Sequence, residues 1–251
     1  MKRIQSMQNE KVKQWKKLLT RKGREKSGLF IVEGEHLVEE ALKEKDVVTE
    51  IIISESSDSS LIKEVDHIPI YIVTNEIAKA LSETEHSQNI FAVCRPKKEV
   101  IQQFQKLLLI DGIQDPGNLG TIIRTADAIG LDAVIIGEGT VDLFNGKVLR
   151  AAQGSHFHLP IIKGKLEEWI SKLSEQGIPT YGSALHDAIP LNEVKKTDSY
   201  GLIVGNEGSG IRKELLSMTT ANVYIPMYGR SESLNVAVAS GILMYYFRGV
   251  L

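Results

Sequence analysis

The chain has 251 residues, 42% of them apolar and 25% charged, with a formal net charge of −2 and a single cysteine. That apolar fraction can bury a core, which excludes global disorder, and one cysteine excludes a disulfide framework or a multi-cysteine zinc site. No apolar run is long enough to span a bilayer, and no apolar segment backs the basic N-terminus, so a soluble cytoplasmic protein with no membrane partner and no metal is expected.

Residues 9–22 have the spacing of one amphipathic helix, with Trp15, Leu18 and Leu19 able to face a core. Residues 1–28 hold ten Lys and Arg against two acids, a local charge of +8 that leaves −10 on the remaining 223 residues. Lys13, Lys17 and Arg21 fall at i, i+4 and i+8 as one cationic stripe, joined by Lys22, Arg24 and Lys26. Such a stripe suits the phosphates of a polyanion and would position it rather than read its sequence; the plainer alternative is a solvated helix face. A strand over 28–32, a helix over 35–43, a strand over 47–53, a short helix beginning at 58–60, a strand over 68–73, a helix over 76–81 and a strand over 90–93 follow. Their alternation predicts a small α/β domain, 1–98, in which Cys94 is a buried thiol. A polar stretch over 95–105 reads as the linker.

The second domain, 99–251, opens with the apolar run Leu107–Ile110. A helix over 118–129, strands over 133–136 and 157–162, a helix over 165–176, strands over 179–183, 202–204 and 222–226, and a closing helix over 233–247 follow. Continuous apolar strands between helices predict a parallel sheet covered on both faces, with ligands beyond the carboxyl ends of its strands. His156 and His158, flanking Phe157, would share one face of the 157–162 strand; metal ligation and plain strand surface are the two alternatives, the second preferred.

Three segments carry chemistry. In Asp111–Arg124 a strand ends, a Pro-Gly turn follows, and Asn118 is a candidate cap for the next helix, with Arg124 one to two turns inside it. Arg124 either pairs with Asp127 on the surface or faces a phosphate or a developing oxyanion. In Leu202–Ile211 the order Gly-x-x-Gly-x-Gly is neither the dinucleotide fingerprint nor a P-loop. Glu207 within it repels phosphate, so the loop suits a cationic or zwitterionic ligand. In Ile225–Leu243, Ser231 or Ser233 is a candidate cap for the last helix, whose small residues Ala237, Ala239, Ser240 and Gly241 permit close packing.

Together these segments resemble the SpoU/TrmH family of RNA ribose 2′-O-methyltransferases. The matching motifs are Asp115-Pro-Gly-Asn-Leu-Gly120 with Arg124, then Gly205-Asn-Glu-Gly-Ser-Gly210, then Ile225-Pro-Met227 with Ser233-Leu-Asn-Val-Ala-Val-Ala239. The likeness spans 107–249, with one departure at Ile129, where the family often has Phe. The segment Lys22–Gly34 also resembles the family's N-terminal extension, which implies a small α/β/α ribosomal-protein-like domain that binds the RNA substrate. The resemblance further implies an α/β domain of the SPOUT class with a deep trefoil knot, a homodimer built on it, and S-adenosylmethionine as donor. It implies Arg124, Asn118, Glu207, Ser233 and Asn235 as catalytic residues. It implies donor contacts at Ser183, Ala184, Leu185, Gly205, Asn206, Gly208, Gly210, Ile225, Met227, Ser233 and Leu234. Ribosomal RNA is the expected substrate; transfer RNA, or RNA binding without catalysis on the same fold, are the alternatives.

Overall fold

The computed structural model describes residues 1–57, 67–85, 87–97, 101 and 104–249. The expected helix at 58–60 and part of the expected linker lie outside the described residues. The chain forms two compact units, Met1–Lys98 with Asp142–Phe157, and Glu99–Val141 with His158–Leu251. The division is therefore not a single cut near residue 98: residues 142–157 pack with the first unit.

The first unit comprises β1 (Lys2–Ile4), α1 (Glu10–Leu18), α2 (Arg21–Ser27), β2 (Phe30–Glu33), α3 (Glu35–Lys43), β3 (Val48–Ser54), β4 (Ile70–Val73), α4 (Asn75–Leu81) and β5 (Ile90–Cys94). Its sheet runs β1-β4-β3-β5-β2, with β5 antiparallel to both of its neighbours. Side chains that alternate along a strand point to opposite faces. Thus Ile31, Ile52, Phe91 and Val93 join Trp15 and Ile77 in one core, while Phe30, Val32, Ile51, Ile53 and Ala92 join Leu37 and Val38 in the other. Leu149 and Phe157, far along the chain, complete the second core. Cys94 is fully buried there, and burial pushes its thiol pKa far up, so it is an inert part of the packing.

Four expectations for this unit need correction. The helix expected over 9–22 is two helices, because Thr20 caps α2, its side chain accepting from the Gly23 N–H. A Cβ at Gly23 would lie 1.8 Å from the Lys17 carbonyl oxygen, so only glycine fits this elbow. The strand expected from 28 begins at Phe30, because Gly28 takes φ +67° as the left-handed cap of α2. The strand expected over 157–162 is extended only from Ile161, and its first residues belong instead to a helical turn, α7 (Ser155–His158). It follows α6 (Gly146–Ala152), and the positive φ of Gln153 and Gly154 turns the chain between them. His156 and His158 consequently do not share a strand face.

The second unit contains β6 (Lys106–Asp111), α5 (Pro116–Ala128), β7 (Ala133–Ile136), β8 (Ile161–Lys163), α8 (Leu166–Glu175), β9 (Thr180–Ser183), β10 (Ile189–Pro190), β11 (Tyr200–Gly205), α9 (Lys213–Leu216), β12 (Ala221–Tyr224) and α10 (Val236–Arg248). Its seven strands are all parallel in the order β10-β12-β9-β11-β6-β7-β8. Both faces of the central strands are covered, and Leu107 to Ile110 have no exposure. From β6 the chain first builds outward through β7 and β8, then returns to lay β9, β11 and β12 on the other side. A crevice opens beyond the carboxyl ends of strands at such a reversal. Gly205 pairs with Asp111, so the loops after β11 and β6 leave the sheet side by side.

Candidate functional site

Three neighbouring parallel strands deliver one cleft. The ends of β9, β11 and β12, and the segment leading into α10, line a cavity of about 160 Å³. Its walls include Ser183, Ala184 and Leu185 after β9, Gly205, Asn206, Glu207 and Gly210 after β11, and Ile225, Met227, Ser233 and Leu234 after β12. Of the expected donor contacts only Gly208 is not part of the lining. Sequence reasoning missed Tyr224, Glu232 and Ser240, which also line it.

The glycine loop is held by its own hydrogen bonds. Asn206 and Gly210 exchange two backbone bonds of 3.0 Å, and the Asn206 side chain accepts from the N–H of Gly208 and of Ser209, both at 2.9 Å. Its amide also donates to the Gly112 carbonyl at 2.9 Å, which ties the loop to the one after β6. A Cβ at Gly205 would sit 2.4 Å from the Gly210 backbone, so the tight return excludes any side chain there.

Beside the cleft runs a row of polar side chains. Glu207 accepts from the backbone N–H of Gln114 at 3.2 Å and of Asp115 at 3.0 Å, and from the Asn118 amide at 3.1 Å. Asn235 donates to the Asn118 side-chain oxygen at 3.0 Å. Burial opposes the charge on Glu207, but the bonds donated by Asn118 and by the Asp115, Glu207 and Gln114 backbone outweigh it and hold the carboxyl below its ordinary pKa. The helix caps differ from expectation. Asp115, not Asn118, caps α5, accepting from the Asn118 N–H at 2.8 Å. Asn235, not Ser231 or Ser233, caps α10, accepting from the N–H of Ala237 and Val238. Asn235 is thereby committed twice, to the start of α10 and to the row, while both ends of the Asn118 amide belong to the row.

Arg124 is exposed on α5 and makes no hydrogen bond or ion pair to any described residue. Of the two alternatives for Arg124, the surface pair with Asp127 does not form; Asp127 pairs with His158 at 3.2 Å. A supporting pair escaped sequence reasoning. Asp111, 3% exposed at the end of β6, accepts from the backbone N–H and the Nε of Arg212, both at 2.9 Å, and braces the segment after the glycine loop. The described residues contain no group of three or more metal-ligating side chains.

In the first unit the expected cationic stripe is divided between α1 and α2. Lys13 pairs with Glu10 and Arg21 with Glu25, both on the surface. Lys17, Lys22 and Lys26 are exposed. Arg24 is not: it is 8% exposed, pairs with Asp142 at 2.7 Å and donates to the Leu18 carbonyl, so it serves the packing rather than a polyanion.

The SpoU rRNA Methylase family model matches residues 105–245, and an MRM3-like substrate binding domain matches residues 9–92. The chain is 50% identical over 249 residues to 23S rRNA (guanosine(2553)-2′-O)-methyltransferase RlmP of Bacillus subtilis, covering 99% of this chain and 100% of that one. Its fold is similar to AdoMet-bound rRNA methyltransferase from Sinorhizobium meliloti, at TM-score 0.90 and 27% identity over 100% of this chain and 98% of the other. It is also similar to the SpoU methyltransferase AviRb from Streptomyces viridochromogenes in complex with AdoMet, at TM-score 0.87 and 25% identity over 96% and 98% of the two chains.

Proposed function

Because the chain belongs to the SpoU rRNA methylase family, we propose that it methylates a ribose 2′-hydroxyl of 23S ribosomal RNA with S-adenosylmethionine as donor. Ribosomal RNA is preferred to transfer RNA because the relative that shares half its residues over the full length acts on 23S rRNA. The observation that carries the reading is the double membership of Glu207, at once a wall of the cleft and the acceptor for Asn118. The donor cleft and the polar row therefore share a residue.

The cleft suits the donor chemically. Leu185, Ile225 and Leu234 offer apolar surface for an adenine, the glycine loop offers backbone groups, and the Glu207 carboxylate suits a cation. When bound, S-adenosylmethionine supplies an electrophilic methyl on a sulfonium with a good leaving group. We assign the donor contacts to Ser183, Ala184, Leu185, Gly205, Asn206, Gly210, Ile225, Met227, Ser233 and Leu234. Asn118, Asn235 and Ser233 orient the ribose. The part of Arg124 is to face the developing alkoxide as a positive charge, with an RNA phosphate oxygen as proton acceptor.

On this proposal residues 99–251, apart from the 142–157 segment that packs with the first unit, form the methyltransferase domain, knotted as a deep trefoil and paired as a homodimer. Residues 1–98 form the RNA substrate-binding domain, which presents Lys13, Lys17, Lys22 and Lys26 to phosphates. Mapping ribose methylation in total RNA from cells with and without the protein tests the function: one 2′-O-methyl group of 23S rRNA is lost without it. A loss confined to transfer RNA, or no loss, overturns the assignment.

A further inference from the structure

The segment between β12 and α10 enters and leaves the cleft wall. Met227 and Glu232 line the cleft, while Tyr228, between them in the chain, is 96% exposed. No other aromatic side chain among the described residues approaches that exposure. Tyr228 makes no hydrogen bond and no ring contact to any described residue. Arg230, two residues on, is also exposed and has no ion pair among the described residues, and a Cβ at Gly229 would meet nothing within 4 Å. The one side-chain hydrogen bond within the segment joins the Ser231 hydroxyl to the Ser233 carbonyl at 2.9 Å.

A tyrosine in this position contributes nothing to packing, and its apolar ring is hydrated on both faces. Burying such a ring against a flat partner recovers that cost, and a nucleobase offers a matching π-face. A guanidinium next to it adds attraction to a phosphate or stacks on a second base. An acidic protein surface would meet the same arginine but would have no planar group for the ring, so the pair favours a nucleic acid over a peptide.

We propose that Tyr228 and Arg230 form a stacking platform for a base of the RNA substrate at the mouth of the donor cleft. The platform rests on the proposed function: it takes the target nucleotide or its neighbour, unstacked from the RNA, and so holds the ribose over the cleft. Tyr228 acts there as an RNA-binding residue through its ring, not its hydroxyl.

The test compares Tyr228→Phe, Tyr228→Ala and Arg230→Ala in the full chain, with unmodified 23S rRNA transcript as substrate and S-adenosylhomocysteine as the donor-site probe. Tyr228→Ala should raise KM for RNA about tenfold, the size of one stacking contact, and Arg230→Ala should raise it less. Tyr228→Phe should match the unsubstituted chain, and all three should bind S-adenosylhomocysteine unchanged. A readout independent of turnover is Tyr228→Trp, whose added emission should be quenched by single-stranded RNA. An unchanged KM in Tyr228→Ala, or no quenching in Tyr228→Trp, overturns the platform while leaving the methyltransferase assignment standing. Loss of dimer in Tyr228→Ala, with RNA affinity unaltered, also overturns it and makes the ring a seat for a second copy. Failure of the unsubstituted chain to methylate any RNA, with quenching intact, sinks the proposed function and not the platform.

Discussion

The two units spend their polar side chains differently. In the first, several cations are matched with acids: Lys11 with Glu50, Lys13 with Glu10, Arg21 with Glu25, Arg24 with Asp142. In the second, neutral amides and one carboxylate form a row across loops that are distant in sequence, and Arg124 has no partner among the described residues. A count of basic residues therefore overstates what the first unit can offer a polyanion. In the second unit an unmatched charge, Arg124, is the informative one. A surface arginine that its neighbours decline to pair is available for a ligand.

The largest expected effect concerns the matched side of this contrast. Arg24→Ala should destabilise the first unit by about 3–5 kcal/mol, because it removes the ion-pair partner of the Asp142 carboxylate in a site only 10% exposed; chemical denaturation measures it. A loss below about 1 kcal/mol would move Arg24 back among the surface cations. Next is the unmatched side: Arg124→Ala should slow methyl transfer roughly 100- to 1,000-fold, as for loss of one oxyanion donor, with S-adenosylhomocysteine affinity intact. Full turnover in that variant ends the assigned role. Asn235→Ala should cost about 1 kcal/mol of stability through the lost cap and should lower turnover further by freeing Asn118. Smallest are the exposed lysines. Replacing Lys13, Lys17, Lys22 and Lys26 singly by Ala should each lessen the salt slope of RNA binding by about one at most. Deleting residues 1–28 is a poor substitute for these variants, since it removes Val12, Trp15 and Leu18 from the core.

Acid sharpens the same contrast. The pKa of Glu207 is depressed in the folded chain, so its contribution to stability is fully present above the ordinary value of 4.5 and is lost as pH falls through the lowered one. Glu207→Gln should flatten that part of the stability–pH profile in the acid range.

Much of this architecture is legible in the chain. Leu107–Ile110 and Ala133–Ile136 announce buried parallel strands because apolar side chains are needed on both of their faces. The residue types of the site are legible too, since Asn118, Glu207 and Asn235 stand in motifs whose resemblance names them. Their mutual geometry is not, because it depends on Gly205 pairing with Asp111 across two strands nearly a hundred residues apart. Helix starts are ambiguous in the chain where two polar candidates compete. Asp115 and Asn118 are both good caps, and Pro116 at the first helical position decides for Asp115. The elbow at Thr20 was hidden by a stripe of lysines that satisfies helical spacing while Gly23 and Thr20 break it. The pairing of Asp111 with Arg212 left no local signal, since neither side chain belongs to a periodic pattern.

The row beside the cleft has a direction. An ionised carboxylate only accepts, so Asn118 must turn its NH₂ group toward Glu207. Its oxygen is then left for Asn235, whose own oxygen remains for the start of α10. One anion thus dictates the rotamer sense of two amides in succession, like a row of turnstiles that all open one way. Aspartate, nearly the same shape as asparagine, cannot pass through at either step, because it has no proton to hand on.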